Sequence, residues 1–226
     1  MGKYQDLSPR KIYEIKTLLL HTGHFQRQIA SIANVCFSNE SSVQILSDKA
    51  EFARRRKGEK FKEDCIVNRV KYPLSVMVWS IISSKGTGRL NIVEGTMRQD
   101  LYIQVLETKM LPQVLVLFPN GEFKLMHDSA PCHKAKKVTK FLNAQKVKVL
   151  DWPGNPLDLN PIENFWELMK REISREVVNN KRELIERLID VWHRSESVKI
   201  NCSKCIESMP RKIQAVIEAK GGVTKY

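Results

Sequence analysis

Several features that would assign this chain to a familiar class are missing from its sequence. Its 226 residues contain no run of about 18 apolar residues, so we expect no membrane-spanning segment and no membrane partner. The first residues lack the charged-then-apolar layout of a signal peptide. The five cysteines are odd in number and widely scattered, which favours reduced thiols over a disulfide framework. Together these absences predict an intracellular protein.

The common fingerprints of nucleotide binding and acyl transfer are missing as well. No GxxxxGK[ST], GxSxG or GxGxxG motif is present. The sequence also has no internal repeat and no low-complexity tract. We therefore expect no nucleotide cofactor and no small-molecule substrate.

Positive charge, by contrast, is abundant. The chain has 38 Lys and Arg against 25 Asp and Glu, a net charge of +13, and its 42% hydrophobic content is sufficient for a packed core. The charge is concentrated in residues 49–71 and 133–148. The candidate nucleic-acid contacts in these segments are Arg54, Arg55, Arg56, Lys57, Lys134, Lys136 and Lys137. Such clusters bind polyanions by counterion release, although solvated surface is the alternative explanation.

Hydrophobic periodicity predicts an α/β (α+β) domain. We expect strands near residues 35–39, 75–82, 89–93, 123–127 and 147–150. Helices are expected after a Thr96 cap, over about 133–143, from Pro161, and through the C-terminal third. The side chains expected on buried helix faces are Tyr102, Val105, Leu106, Met110, Ile162, Phe165, Trp166, Met169, Ile173, Leu184, Leu188, Val191 and Trp192. Strand pairs followed by strand–helix alternation predict a mixed sheet flanked by helices.

Two further segments have a distinct organisation. Residues 1–34 predict a short helical unit, either the start of a helix-turn-helix without its third helix or a simple helical hairpin. Residues 42–73 are basic and irregular, which predicts a long loop.

Two carboxylates are candidates for chemistry. Asp128 ends a predicted strand, and Glu163 opens a helix 35 positions later. Carboxylates at the carboxyl ends of strands repel each other unless a cation such as Mg²⁺ neutralises them, and two such ions can clamp the oxygens of a phosphodiester. Alternatively, Glu163 completes a capping box behind Asn160 and Pro161, and Asp128 caps a turn.

Other motifs are weaker. Cys202 and Cys205 have the spacing of half a zinc site, but no second pair accompanies them, so we expect no zinc there. His127 and His133 flank Asp128 and either orient ligands or contact phosphate, or are ordinary strand-end and helix-start residues.

Several longer motifs closely resemble transposases of the mariner superfamily, on its Tc-like branch. The matching segments are SVMVW at 75–79, HDSAPCH at 127–133, WPGN at 152–155, DLNPIENFW at 158–166, ESMPR at 207–211 and AKGG at 219–222. The resemblance extends over nearly all of 35–222. The opening residues resemble the start of the family's paired-type DNA-binding region, of which 1–34 would be a truncated remnant.

This resemblance implies a ribonuclease H-like domain over 35–226 and an Asp-Asp-Glu triad that binds two Mg²⁺ or Mn²⁺ ions. Asp128 matches the second Asp and Glu163 the Glu, a role that takes precedence over capping. The loop at 42–73 matches an excursion that contacts DNA and the partner subunit. The implied function is cleavage of double-stranded DNA ends and strand transfer in transposition and integration, with a homodimer and a nuclear location as expectations.

The first catalytic Asp of the family is replaced in this chain. Where family members have Phe-Ser-Asp-Glu-Ser, residues 37–41 are FSNES, so Asn39 is a degenerate third ligand. One unit charge at about 4 Å is worth roughly 4 kcal/mol at an effective dielectric constant of 20. Half of that interaction energy corresponds to a loss of metal occupancy of roughly tenfold to a hundredfold. Glu40 is not an evident substitute, because neighbouring strand residues point to opposite faces.

A second departure concerns the DNA-reading region. After residues 33–34 the sequence passes almost directly into the first catalytic strand, without the recognition helix, second DNA-binding subdomain and linker of the family. We therefore expect weak, sequence-independent, salt-sensitive DNA binding. The expected function is an impaired transposase, and the alternative is a non-catalytic DNA-binding or dimerisation module.

Overall fold

A single mixed sheet forms the centre of the described structure. The computed structural model describes residues 34–44, 75–150, 160–176 and 178–219. Within them the strands are β1 (Val35–Gln44), β2 (Ser75–Ser83), β3 (Gly86–Thr87), β4 (Asn91–Val93), β5 (Lys124–Met126) and β6 (Lys148–Val149). Residues 1–33, which hold nearly all of the predicted helix-turn-helix remnant, lie outside the described residues.

Strand β1 lies in the middle of this sheet. It pairs antiparallel with β2 and parallel with β5, which in turn pairs parallel with β6. Both β3 and β4 pair antiparallel with β2. The predicted mixed sheet is therefore confirmed, and β1, the middle strand of the order, has a partner on both sides.

Strand β1 is longer than the sequence predicted. Ser42, Val43 and Gln44 pair with β2 as regular antiparallel partners, so the first three residues of the predicted 42–73 loop belong to the strand. The alternating burial of residues 41–44 shows that one face of this extension packs on the core. The rest of the predicted loop, from residue 45 on, lies outside the described residues.

Helices flank the sheet. They are α1 (Gln99–Val105), a π-helical segment (Leu106–Met110), α2 (Leu111–Leu117), α3 (Lys136–Ala144), α4 (Pro161–Ile173), α5 (Lys181–Arg194), α6 (Glu196–Glu207) and α7 (Met209–Glu218). The first helix begins after Arg98 rather than at the predicted Thr96 cap. Pro112 lies in the first turn of α2, where its missing N–H is tolerated after the π-helical segment. None of the described helices is both long and apolar enough to cross a membrane.

The two faces of the sheet bury separate hydrophobic clusters. Val35, Phe37 and Val43 of β1 pack with α4 to α7 on one face, whereas Cys36 packs with α1, α2 and α3 on the other. This division follows from the two-residue period of a strand, which sends successive side chains to opposite faces. All thirteen side chains that periodicity assigned to buried helix faces are buried.

An aromatic cluster joins the C-terminal helices to the sheet. Trp192 of α5 contacts Trp166 and Phe165 of α4, with ring centroids 5.2 Å and 5.3 Å apart. The indole Nε1 of Trp192 also donates a 2.7 Å hydrogen bond to the carbonyl of Gly88, in the segment between β3 and β4. These contacts fix the position of α4 against the sheet, and α4 begins with the residues of the candidate site.

The first prediction tests this packing. Leu188 of α5 is fully buried, whereas Leu115 of α2 is 59% exposed. Leu188→Ala should lower the free energy of unfolding by about 2–5 kcal/mol, because it removes core contacts and leaves a cavity. Leu115→Ala is the matched control and should change it by about 0.5 kcal/mol or less. Urea denaturation followed by tryptophan fluorescence measures both, and equal effects of the two variants would contradict the described packing.

Candidate active site

Asn39 and Glu163 meet across the interface between β1 and α4. Asn39 shares a face of β1 with Phe37 and is 2% exposed, and Glu163 lies in the first turn of α4. The side-chain amide of Asn39 donates a hydrogen bond from Nδ2 to Oε1 of Glu163. Its Oδ1 accepts a 2.9 Å bond from the backbone N–H of Glu40. An N–H can only donate, so Oδ1 must face Glu40 and the amide orientation is determined.

The capping-box interpretation of Glu163 is not supported. Asn160 is the N-cap of α4, but its side chain makes no capping hydrogen bond. The Glu163 carboxylate instead bonds Asn39, 124 positions away in the sequence. Glu163 still begins the helix, where the helix dipole favours a negative charge.

Asp128 lies two residues beyond the end of β5. Its Oδ1 accepts a 2.9 Å bond from the backbone N–H of Ala130 and a 2.6 Å bond from Nδ1 of His133. Burial alone would raise the pKa of this carboxyl, but the bonds from His133 and Ala130 lower it below its usual value. Asp128 thus caps its own turn, as one interpretation predicted, and also belongs to a network of charged side chains.

His133 connects two carboxylates on the other side of β1. The residue is 2% exposed, and its Nε2 lies 3.2 Å from Oε2 of Glu40. Burial disfavours the imidazolium, yet the contacts with Asp128 and Glu40 outweigh burial and raise the pKa of His133 to about 9. Because Glu40 points to this face, the alternation predicted for β1 is observed: Asn39 faces Glu163, and Glu40 faces His133.

Tyr102 and His127 pack around this network. The Tyr102 hydroxyl and Nδ1 of His127 are 3.0 Å apart, and the Tyr102 ring lies 4.1 Å from that of His133 between centroids. Burial and the nearby charge of His133 lower the pKa of His127 to about 4. His127 is therefore neutral at pH 7 while His133 is charged. The sequence placed Tyr102 on a buried helix face, but nothing in its pattern indicated a contact with these histidines.

The charge of Asp128 also affects the ionisation of Glu163. Burial, and then the charge of Asp128, raise the pKa of Glu163 above its usual value. Mutual repulsion of this kind is what a divalent cation relieves, and carboxylate oxygens are ligands that Mg²⁺ prefers. Asp128 and Glu163 therefore fit the predicted metal site. Asn39 lies beside Glu163 and directs its N–H group, rather than its oxygen, at that carboxylate.

The predicted basic contacts are only partly within the described structure. Lys134, Lys136 and Lys137 are exposed around the start of α3, and Lys137 pairs with the exposed Asp100. The charge of Lys134 contributes to the low pKa of His127, which places this lysine near the site. Arg54, Arg55, Arg56 and Lys57 lie outside the described residues.

Cys202 and Cys205 pack in the core, and the expectation of no zinc at this pair stays a prediction. Both lie in the hydrophobic cluster on the α4 face, and burial raises the pKa of the Cys202 thiol to about 12. Three residues near the site were not predicted from the sequence as site residues. They are Glu40, Tyr102 and Cys132.

The second prediction concerns His133 and pH. In metal-free protein its imidazole should titrate near pH 9, well above the ordinary value of 6.5. Glu40→Gln should lower this pKa, because one of the two neighbouring carboxylates loses its charge. The stabilisation from the charged His133 is complete below about pH 6.5 and disappears as the pH rises through about 9. NMR titration of the histidine ring protons measures the pKa, and a wild-type value at or below 6.5 would contradict the described contacts.

Comparison with known proteins shows which family this chain belongs to. A family model described as "DDE superfamily endonuclease" matches residues 34–185. The Tcb2 transposase of Caenorhabditis briggsae is 33% identical over 205 residues, which cover 90% of this chain and 73% of the relative. The Tc1 transposase of Caenorhabditis elegans is 33% identical over 192 residues, covering 84% and 69%.

Solved structures of Mos1 transposase share the fold. The paired-end complex with the left transposon end superposes with a TM-score of 0.80 at 15% identity, covering all of this chain and 66% of that chain. The isolated Mos1 catalytic domain superposes with a TM-score of 0.74 at 14% identity, covering 99% and 100%. Paired-end complexes with Mn and with Mg have a TM-score of 0.81, at 13% and 14% identity and covering 100% and 67% in each case. This chain therefore carries a ribonuclease H-like DDE endonuclease domain and belongs to the Tc1/mariner transposase family.

Proposed function

We propose that this domain retains the site for metal-dependent DNA cleavage and strand transfer, with its activity strongly reduced by Asn39. The observation that carries this proposal is the hydrogen bond from the Asn39 amide to the Glu163 carboxylate. It places an uncharged N–H donor at the position where relatives of this family are expected to have a third carboxylate. The site is thus assembled, but one of its negative charges is missing.

Asp128 and Glu163 would hold the divalent cations. Within the described residues, Asp128 accepts hydrogen bonds through Oδ1 and Glu163 accepts one through Oε1. The second oxygen of each carboxylate can therefore serve as a ligand. Bound Mg²⁺ or Mn²⁺ would supply charge stabilisation to the attacking and leaving oxygens of a phosphodiester. The Mos1 complexes with Mn and Mg support this choice of metal.

Asn39 weakens the site in two ways. It removes one unit of negative charge, and its amide N–H occupies Oε1 of Glu163, which a cation would need to compete for. To offer its own oxygen, Asn39 would have to break the bond with the Glu40 N–H as well. The proposed loss of metal occupancy is about tenfold to a hundredfold, from the missing charge alone.

The third prediction is that Asn39→Asp restores metal binding and cleavage. The new carboxylate adds a negative charge beside Glu163, so the affinity for Mn²⁺ should rise by about tenfold or more. Purified wild-type and N39D protein are compared by calorimetric titration with Mn²⁺, and by nicking of supercoiled DNA and transposon-end duplexes in Mg²⁺ or Mn²⁺.

Two controls separate the possible explanations. The double variant N39D/D128N should lose the gained cleavage, because it again lacks one of the three carboxylates. Asn91→Asp adds the same charge on β4, outside the site, and should change neither binding nor cleavage. Robust nicking by the unaltered chain would refute the proposed impairment, and an inactive N39D protein with unchanged Mn²⁺ affinity would refute the proposed role of Asn39.

A second candidate function is DNA binding without cleavage. It is favoured by the exposed lysines just before and at the start of α3, in the segment that follows Asp128. Lys134 and Lys136 would contact phosphate groups, which gives affinity without sequence selection. Double-stranded DNA is the proposed partner in either case, because the Mos1 neighbours include a paired-end complex with a transposon end. We propose a homodimer by analogy with the paired-end complexes, and a nuclear location because the proposed partner is double-stranded DNA.

The fourth prediction tests this binding surface. The double variant K134Q/K136Q should weaken binding to any duplex and reduce the slope of log K against log salt by about 2, or roughly 0.9 for each lost phosphate contact. The double variant K199Q/K204Q changes two lysines on α6 and is the matched control. Fluorescence anisotropy over a series of salt concentrations gives both slopes. Tight selection of one sequence over scrambled DNA, or an unchanged slope for K134Q/K136Q, would contradict the proposal.

A further inference from the structure

A second group of ligating side chains lies on the face of β1 opposite Asn39. Glu40, Cys132 and His133 each offer one ligand atom, and these atoms all lie within 4.8 Å of one another. The group combines a carboxylate oxygen, a thiol sulfur and an imidazole nitrogen. This mixture differs from the oxygen ligands of Asp128 and Glu163, and it is typical of zinc rather than magnesium.

Two atoms of this group are buried without a well-aligned hydrogen bond. Nε2 of His133 and Oε2 of Glu40 are both inaccessible to solvent, and neither has a partner of suitable geometry. They lie 3.2 Å apart and face each other. Two ligand atoms at about 2.0–2.1 Å from a tetrahedral Zn²⁺ ion are separated by about 3.3 Å, so the observed spacing already suits a bound ion.

The orientation of His133 also suits metal binding. Its Nδ1 donates to Oδ1 of Asp128 at 2.6 Å, so the proton on Nε2 is the one that a metal ion would displace to make Nε2 a ligand. A carboxylate behind a ligating histidine is a recurrent arrangement at zinc sites, where it orients the ring and increases its basicity. The Tyr102 ring, 4.1 Å from that of His133 between centroids, further restricts its rotation.

Cys132 completes the group and provides access. It is partly exposed and follows Pro131 in the turn between Asp128 and α3. Its thiol is the only one near the charged network within the described residues, since Cys36, Cys202 and Cys205 are buried in the hydrophobic clusters. Its Sγ lies within 4.8 Å of the other two ligand atoms, so an ion bound by all three requires the turn to move inward until Sγ is about 2.3 Å from it.

We propose that Glu40, Cys132 and His133 form a binding site for a single Zn²⁺ ion, next to the Asp128–Glu163 site and joined to it by the His133–Asp128 hydrogen bond. The ion replaces the proton between His133 and Glu40, and the Cys132 thiol loses its proton to the solvent. Three protein ligands leave the fourth tetrahedral position to water. Because the site does not include Asn39 or Glu163, this proposal does not depend on the proposed cleavage function.

The fifth prediction uses Zn²⁺ and Co²⁺ as probes of the full chain. In buffer with excess Mg²⁺ to compete for the oxygen-ligand site, isothermal titration should show one Zn²⁺ bound per chain. Co²⁺ in place of Zn²⁺ should give a sulfur-to-cobalt charge-transfer band and the intense visible bands of tetrahedral coordination. Wild-type protein that binds no Zn²⁺ under these conditions would overturn the proposal.

Variants then assign the ligands. Cys132→Ala should abolish the sulfur-to-cobalt band and weaken Zn²⁺ binding by about tenfold or more, because the ion loses its sulfur ligand. Glu40→Gln should weaken Zn²⁺ binding but keep the sulfur band. Cys205→Ala is the matched control and should retain both, as should N39D, which alters only the other site. A band that persists in C132A and disappears in C205A would overturn the assignment.

A measurement on the unaltered chain tests the ligands without relying on the folding of any variant. X-ray absorption spectroscopy of the Zn²⁺-loaded protein should show one sulfur neighbour at about 2.3 Å and two to three nitrogen or oxygen neighbours at about 2.0–2.1 Å. A shell of oxygen alone would indicate binding at the Asp128–Glu163 site and would refute the proposal. A shell of several sulfurs would refute it equally, because only one cysteine belongs to this group.

Discussion

The central position of β1, with its strict alternation of side chains, is the constraint on which the rest of this structure depends. Phe37 and Asn39 face α4, whereas Cys36 and Glu40 face α1 and α3. A strand paired on both sides cannot rotate to exchange these faces without losing both hydrogen-bonded ladders. Adjacent residues of one strand therefore enter two chemically different surroundings, one beside the Glu163 carboxylate and one beside the His133 imidazole.

Electrostatics links the two sides through Asp128. Its carboxylate accepts a bond from His133, and its charge also raises the pKa of Glu163 on the α4 side. The domain thus places two carboxylates, Glu40 and Asp128, against one charged histidine, with a third, Glu163, near enough to Asp128 for its pKa to rise. Such an arrangement is stable only where each charge has a partner, and the surplus of negative charge is what makes cations the natural ligands of this region.

Much of the fold could be predicted from periodicity, because amphipathic helices and alternating strands record their buried faces in the sequence. The stripe from Ile162 to Ile173 is buried as predicted. Boundaries were less accurate: β1 extends to Gln44 because its pairing with β2 continues, and α1 begins after Arg98 instead of Thr96. Pairing partners decide where strands end, and local sequence does not contain them.

The sequence by itself determined the family, the candidate residues Asn39, Asp128 and Glu163, and the missing charge at position 39. These depend on residue identity and spacing, which motifs preserve. Only the tertiary structure decided that Glu163 bonds Asn39 instead of capping its own helix, and that Glu40 joins Cys132 and His133. Those contacts join residues about 90 to 124 positions apart, and their geometry is set by how β1, α4 and the turn after β5 pack around the sheet.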